Sequence, residues 1–523
     1  QANFAQGGRT AMRILEAYAA LRLFAWRCAR AARTRWPLVA ILCMSLVAFL
    51  SATQPIHSRG ELVEVDAVFV TDCSEYQEWM AQVFLHRWRS SGPSAARLTR
   101  VLACDPNDPL LQTILAHVDP DLRLFRLPEL NGKGKDRYLC NNRPRGLRRW
   151  LQSHPPRHAN HWVVLLDPDM LMLRPLDPLA PWRLDGGVAG SHPAWSLAEV
   201  PFGVALAHHF SFIPAVWQRL NLSLDGLCAD APPALSHCKS RLQGLFDDPM
   251  LVASEYAVGV PHVIRAEDLW RMSDAWEFMT QRVRAQYKGW IAEMFSWLLA
   301  ARLTDVRFAY SAEVVTDPAA PERAWSDIDA GSAEVCGEPG DASSRENAQA
   351  KPLMAHYCEV YNVTFDAGNG ARATAYLDKR AVKGALRTTA GNPATPGVSL
   401  LDCHAPLFEM PPHDLMSRLP TTGRRAPAQL FKRSAWMLCT TLGIVNAGLR
   451  AYRERHCPGG WSAEGTLRAV PKGARFADAV RQSLFKLGNT TRSIDWQQKM
   501  TEVRERLRFR TGRERNQSVS HDL

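Results

Sequence analysis

The sequence predicts an α/β fold with a mostly parallel sheet, preceded by one N-terminal transmembrane helix. Three observations predict it: an uncharged apolar run behind a cluster of arginines, short apolar runs that end in polar turns, and helix-length segments between those runs. With 523 residues, 46% of them hydrophobic, the chain is long enough to bury a full core.

The elements follow in chain order. Residues 1–35 hold seven Arg and one Glu, and Arg27, Arg30, Arg33 and Arg35 stand directly before WPLVAILCMSLVAFLSA, residues 36–52. At about 1.5 Å per residue this uncharged run spans roughly 26 Å, enough for a thin bilayer of the early secretory pathway or Golgi. A cleaved signal peptide ending at Ser51-Ala52 is the alternative; the long basic region ahead of the run favours a retained anchor. Arginine before the span puts residues 1–35 in the cytosol and the body in the lumen of the Golgi or endoplasmic reticulum, a single-pass type II arrangement.

Beyond the span, VDAVFVTDC (residues 65–73) reads as a buried strand, the EYQEWMAQVFLHRW stretch as a helix, and ARLTRVLACD as a second strand. RPRGLRRWLQS reads as a helix and HWVVLLD as another buried strand. Ligands of such sheets sit at the carboxyl ends of the strands. Segments 316–351 and 366–398, rich in Gly, Ala, Pro, Ser and charge, read as surface loops within a body of residues 60–410. Residues 411–523 read as a helical extension, with a docked helix over 434–457, and a solvated basic tail.

Charge and cysteine content narrow the function. Of the net +11, residues 1–35 carry +6 and residues 459–523 another +6, leaving −1 for the body. A nearly neutral body with basic ends lacks the clustered cations of a phosphate-tracking surface, so no nucleic-acid partner is expected. Ten of the 12 Cys lie beyond the span, with no CxxC pair; the pattern reads as disulfides in an oxidising compartment and not as a zinc site. Sequons at Asn221, Asn362, Asn489 and Asn516 are compatible with that compartment.

The apolar run HWVVLL ends in Asp167-Pro168-Asp169. Alternate strand residues share a face, so a strand delivering Asp-x-Asp to the sheet edge sets two carboxylates side by side. Such a hard oxygen pair suits Mn²⁺ or Mg²⁺, and such a cation can stabilise a departing nucleoside diphosphate. That is the chemistry of transfer from a nucleotide sugar such as a UDP-sugar.

Nine collinear segments then resemble one family. FVTDCSEYQEW, RLTRVLACD, NNRPRGLRRWL, WVVLLDPDM, VGVPHVIRAEDLW, KGWIAEMFSW, PLMAHYC, DCHAPLFEMPP and CTTLGIVNAGLRAYRERHCP run in order from about residue 66 to residue 458. Together they resemble the peptidyl serine α-galactosyltransferases and the related hydroxyproline O-arabinosyltransferases of plants and green algae. The LDPDM form and the later Cys-Pro segment are closer to the former. The resemblance implies a GT-A-like glycosyltransferase fold, a divalent metal, and a retaining transfer of galactose onto serine or hydroxyproline of extensin-like cell-wall glycoproteins. Transfer of arabinofuranose to hydroxyproline is the alternative, and a non-catalytic lumenal binding protein on the same fold is a second. Cys358 stands where the galactosyltransferases usually have Gly.

Carried over residue by residue, Asp167 and Asp169 match the metal motif and His356 matches the family's His-Tyr. A neutral imidazole would complete a mixed nitrogen and oxygen site; a core histidine held by a backbone carbonyl is the bland alternative. Thr71 and Asp72, closing the first strand, are expected near the donor's base and ribose, with a helix cap as the competing reading. Asn142 and Arg143 are expected at the donor phosphate or sugar, Arg suiting bidentate phosphate contacts, with a surface turn as the alternative. Trp290 and Glu293 are three apart and are expected to share a helix face, Trp290 stacking on a sugar and Glu293 orienting an acceptor hydroxyl or stabilising an oxocarbenium-like centre. The alternative is a helix that packs through Trp290, Met294 and Trp297.

Overall fold

The run read as the first strand is β1, Glu64–Asp72, buried over Val65–Phe69, and it leads through Ser74 into α1, Glu75–Ser90. These elements come from a computed structural model, which describes residues 63–469 apart from several stretches, the longest being 131–137, 337–351, 380–385, 389–398 and 420–427. The apolar span 36–52, most of the basic residues at both ends, and Asn489 and Asn516 lie outside the described residues. Among the described residues, no helix is long and apolar enough to cross a membrane.

Helix α1 starts where it does because the Ser74 hydroxyl accepts from Gln77 N at 3.2 Å, with Glu75 and Glu78 in the first turn and Arg87 and Arg89 in the last, each matched to the helix dipole. Strand β2, Arg97–Ala103, follows, then α2, Pro109–Ala116, capped by Asp108 with Pro at its start. Next come β3, Arg123–Leu127, helix α3, Asn142–Ser153, and β4, His161–Leu166, every residue of which is buried. A strand buried on both faces needs the unbroken apolar run that this segment has.

The chain then adds β5, Met170–Met172, β6, Trp182–Gly187, β7, Ala194–Trp195, β8, Val204–His209, and β9, Val258–Arg265. Helices α4, Ala266–Gln286, and α5, Ala292–Leu303, precede β10, Arg307–Ser311. Nine strands form one sheet in the order β3-β2-β1-β4-β9-β8-β10-β6-β7. The expected mostly parallel sheet is corrected to a mixed one. The β3/β2, β2/β1, β1/β4 and β8/β10 pairs are parallel, while β4/β9, β9/β8, β10/β6 and β6/β7 are antiparallel. The ladder between β8 and β9 shifts register between Ala207 and His208, opposite Pro261, which has no N–H to donate.

Alternation along β1 and β4 splits the core between the sheet's faces. Val68, Val163 and Leu165 pack with α3, α4 and α5, whereas Ala67, Phe69, Trp162, Val164 and Leu166 pack with Phe84 of α1. A small second sheet combines β5 with β11, Val314–Val315, and β12, Met354–His356. Residues 361–377, which read as loop from 366 onward, form a hairpin of β13, Tyr361–Gly368, and β14, Ala371–Leu377. Trp325, inside the other stretch read as loop, is fully buried against Trp436. The docked helix is α6, Ala428–His456, and it shares a core with Trp79, Met80 and Val83 of α1.

The reading of all ten cysteines as paired is also corrected. Cys73–Cys104, Cys228–Cys238, Cys336–Cys439 and Cys403–Cys457 are disulfides, while Cys140 and Cys358 are free thiols.

Candidate functional site

Asp167-Pro168-Asp169 is a turn between β4 and β5, closed by Met170 N donating to Asp167 O at 3.1 Å. The two aspartates therefore leave the strand before they converge, and the alternation expected to align them is not what does so. The third group arrives by strand pairing. Strand β12 runs antiparallel to β5 with His356 opposite Met170, and Tyr357 N donates to Asp169 O at 3.1 Å. This register sets His356 beside Asp169, Nε2 to Oδ1 at 3.3 Å. One ligand atom from each of Asp167, Asp169 and His356 lies within 4.8 Å of the others.

Two oxygens and one imidazole nitrogen are a donor set for Mn²⁺ or Mg²⁺, whose bonds to oxygen run near 2.1 Å for the latter. The site's affinity for positive charge is visible in the structure itself: the ammonium of Lys379 makes an ion pair with the Asp169 carboxylate. Burial pushes the His356 imidazole down, but Cys358 and Asp167 outweigh it, so its pKa stands above the ordinary value.

Arg143, in the first turn of α3, bridges two carboxylates. Its guanidinium lies 2.7 Å from Asp167 Oδ1 and 3.7 Å from Glu293 Oε2. Glu293 is buried; burial raises its pKa from 4.5 to about 7, with Asp167 adding to the effect and Arg143 opposing it. The backbone at Glu293 is held by Tyr138, whose hydroxyl donates to Trp290 O at 2.6 Å and accepts from Glu293 N at 2.9 Å. A carboxyl with a pKa of about 7 can take or give a proton at physiological pH.

Trp290 and Glu293 do not share a helix face, correcting that expectation. Helix α5 begins at Ala292, so Trp290 precedes it and stands 72% exposed while Glu293 points inward. Met294 is half-buried and Trp297 buried, so the alternative of packing through all three fails at Trp290 as well. Thr71 and Asp72 have structural partners. The Thr71 hydroxyl accepts from Arg100 Nε at 2.8 Å, and Asp72 Oδ1 accepts from Ser74 N at 3.0 Å and from Ser74 Oγ at 2.6 Å, bracing the cap of α1. Asn142 Oδ1 accepts from Leu130 N at 2.9 Å, while its Nδ2 is buried without a partner. Tyr138 and Lys379 were not singled out from the sequence. Lys379 lay within a stretch read as loop, where no periodicity marks it, and Tyr138 carried only its closeness in sequence to Asn142 and Arg143.

No family model matches the chain. Among solved structures, it is similar to the galactosyltransferase LgtC in complex with donor and acceptor sugar analogues, at 12% identity and TM-score 0.28 over 56% of this chain and 87% of that one. It is also similar to the apo form of the bifunctional glycosyltransferase WbbM, at 13% identity and TM-score 0.29 over 58% of this chain and 47% of that one. Two curated relatives are each named peptidyl serine alpha-galactosyltransferase. The one from Arabidopsis thaliana is 22% identical over 273 residues, 50% of this chain, and the one from Chlamydomonas reinhardtii is 28% identical over 141 residues, 26% of this chain. The matched regions span 28% and 17% of those relatives' own lengths. The resemblance read from the nine segments is borne out: this chain is similar to the peptidyl serine α-galactosyltransferases of Arabidopsis thaliana and Chlamydomonas reinhardtii.

Proposed function

We propose that the chain is a metal-dependent, GT-A-like glycosyltransferase that moves galactose from a UDP-sugar to serine or hydroxyproline of a peptide. The observation that carries this reading is the convergence of Asp167, Asp169 and His356, nearly 190 residues apart, at the carboxyl end of β4. The similarity to two peptidyl serine α-galactosyltransferases supports the donor and the acceptor.

Asp167, Asp169 and His356 would hold the cation, which would supply positive charge to offset that of the diphosphate leaving group. Lys379 pairs with Asp169 and would compete with the cation for that carboxylate. Arg143 fixes Asp167 and orients Glu293 through one planar guanidinium. Glu293 accepts or holds the proton of the acceptor hydroxyl, a role suited to a carboxyl with a pKa of about 7. An α-galactoside made from an α-linked nucleotide sugar keeps its configuration, and transfer from the donor's front face requires no protein nucleophile. Exposed Trp290 offers a ring face to the acceptor. The four disulfides support a lumenal location in the secretory pathway, with residues 36–52 as the anchor.

The test compares hydrolysis of UDP-galactose, UDP-arabinofuranose and UDP-glucose with and without Mn²⁺, in wild type and in Asp169→Asn and His356→Ala. One preferred donor, turned over only with Mn²⁺ and lost in both variants, is the expected result. Preference for UDP-arabinofuranose would move the assignment to the arabinosyl reading. Turnover that survives Asp169→Asn would remove the metal centre from the mechanism.

A further inference from the structure

Helix α1 presents two neighbouring faces. On one, Tyr76 and Trp79 turn toward the segment that carries His356, and Trp79 packs on Tyr357 with ring centroids 6.3 Å apart. On the other, Glu75 and Glu78 line a cavity of about 320 Å³ that shares no residue with the metal cluster. Its remaining walls come from Ile114 and His117 at the end of α2, Tyr452 and His456 in the last turns of α6, and the loop at Asp402. The Cys403–Cys457 disulfide ties that loop to the end of α6, and both cysteines line the cavity. The walls are thus covalently held in place.

The lining is chemically one-sided. His117, Tyr452 and His456 form a cluster of rings, with centroids 4.2 Å apart for His117–His456 and 4.7 Å for Tyr452–His456. The Tyr452 hydroxyl lies 2.7 Å from His117 Nδ1, so that pair is satisfied within the wall. Glu78 is satisfied too, by Gln82 at 2.8 Å and Arg100 at 2.6 Å. Glu75 and Asp402 are exposed at the rim. His456 Nε2 is buried, so a ligand in the cavity does not reach it and the ring serves as wall. Burial, His117 and Arg455 hold His456 down to about 4, so its ring is neutral at physiological pH.

What enters must offer hydrogen-bond donors to the rim carboxylates of Glu75 and Asp402 while laying an apolar face on aromatic rings. A sugar ring has that pattern: hydroxyls around the edge and C–H groups on the faces. An alkylammonium also donates, but Arg453 lies close enough to Asp402 to interact with its charge, which weighs against a cation there. The volume falls at the small end of the range of roughly 300–1,000 Å³ for small-molecule sites, which suits one ring and not an extended chain.

We propose that this cavity is a carbohydrate-binding subsite that takes a single neutral sugar ring, one helix away from the metal cluster. The subsite goes beyond the transfer reading and stands whether or not that reading does.

The experiment records saturation-transfer NMR and titration calorimetry on the full chain with chelator present. The probes are methyl α-galactoside, methyl arabinofuranoside, methyl α-glucoside and butylammonium. Asp402→Asn and Glu75→Gln test the subsite, and thermal melts confirm that both variants fold. At least one glycoside is expected to bind wild type and Asp169→Asn equally, and to bind each subsite variant about tenfold more weakly, the effect of one hydrogen bond. The subsite is overturned if no glycoside binds, if butylammonium binds in their place, or if Asp169→Asn abolishes binding that the subsite variants keep. A loss of donor hydrolysis would bear on the metal centre alone, since the chelated binding assay does not depend on it.

Discussion

Glu293→Gln tests the electrostatics of the site without substrate. In the unfolded chain the Glu293 carboxyl titrates near its ordinary 4.5, and in the folded chain burial raises it to about 7. The folded state therefore binds a proton more tightly than the unfolded state does. A raised folded pKa contributes stability that is fully present below 4.5 and is lost as pH climbs through about 7. The shift corresponds to about 3 kcal/mol at 1.36 kcal/mol per unit. Gln keeps the shape and cannot titrate. Urea unfolding of chelated protein near pH 4.5 and near pH 8 should show wild type losing about 3 kcal/mol more than Glu293→Gln over that interval. Comparing pH slopes cancels every pH-independent effect of the substitution, and the ion pair with Arg143 is already contained in the wild-type pKa. If the two proteins have parallel pH profiles, Glu293 does not titrate in the neutral range, and its role as a proton acceptor falls with it.

Gly448 of α6 lies against α1, where an added Cβ would stand 3.0 Å from Val83 Cα. Gly448→Ala gains up to about 1 kcal/mol of helix propensity but overpacks a helix interface at a typical cost of about 1–3 kcal/mol, so a lowered Tm is expected and a raised one would show that α6 can shift. Arg100 and Glu78 are a buried pair at 2.6 Å. Arg100→Met should destabilise by about 3–5 kcal/mol by stranding Glu78, and adding Glu78→Leu should recover most of the loss. Denaturation of the single and double variants gives the answer, and additive losses would contradict it.

The local sequence carried the N-terminal half of the sheet well, because strands β1, β2 and β4 alternate with helices α1 and α3 at periods that burial imposes. The direction of the later strands was not legible. VGVPHVIR is apolar throughout, and an unbroken apolar run signals burial on both faces without saying whether its neighbours run parallel or antiparallel. The hairpin end of β13 and all of β14 read as loop because both are largely exposed and meet at a Gly-rich turn, so no buried alternation marks them.

At the site, the aspartate pair and His356 were named from sequence, the histidine through family resemblance alone. What brings them together is the β5–β12 register, a pairing between residues nearly 190 positions apart that no local pattern encodes. The same holds for Lys379 on Asp169 and for the burial of Glu293, whose proton affinity depends on what the fold packs around it. Trp290 shows the limit from the other side: a spacing of three predicts a shared face only if both residues lie inside one helix, and the helix starts at Ala292. The sequence by itself determined which segments are buried, where the N-terminal strands end and which residue types could bind a cation, since these follow from local periodicity and side-chain chemistry. Tertiary structure alone decided strand direction, the meeting of distant ligands and the shifted acidity of Glu293, because those depend on neighbours supplied by chain closure over long sequence distances.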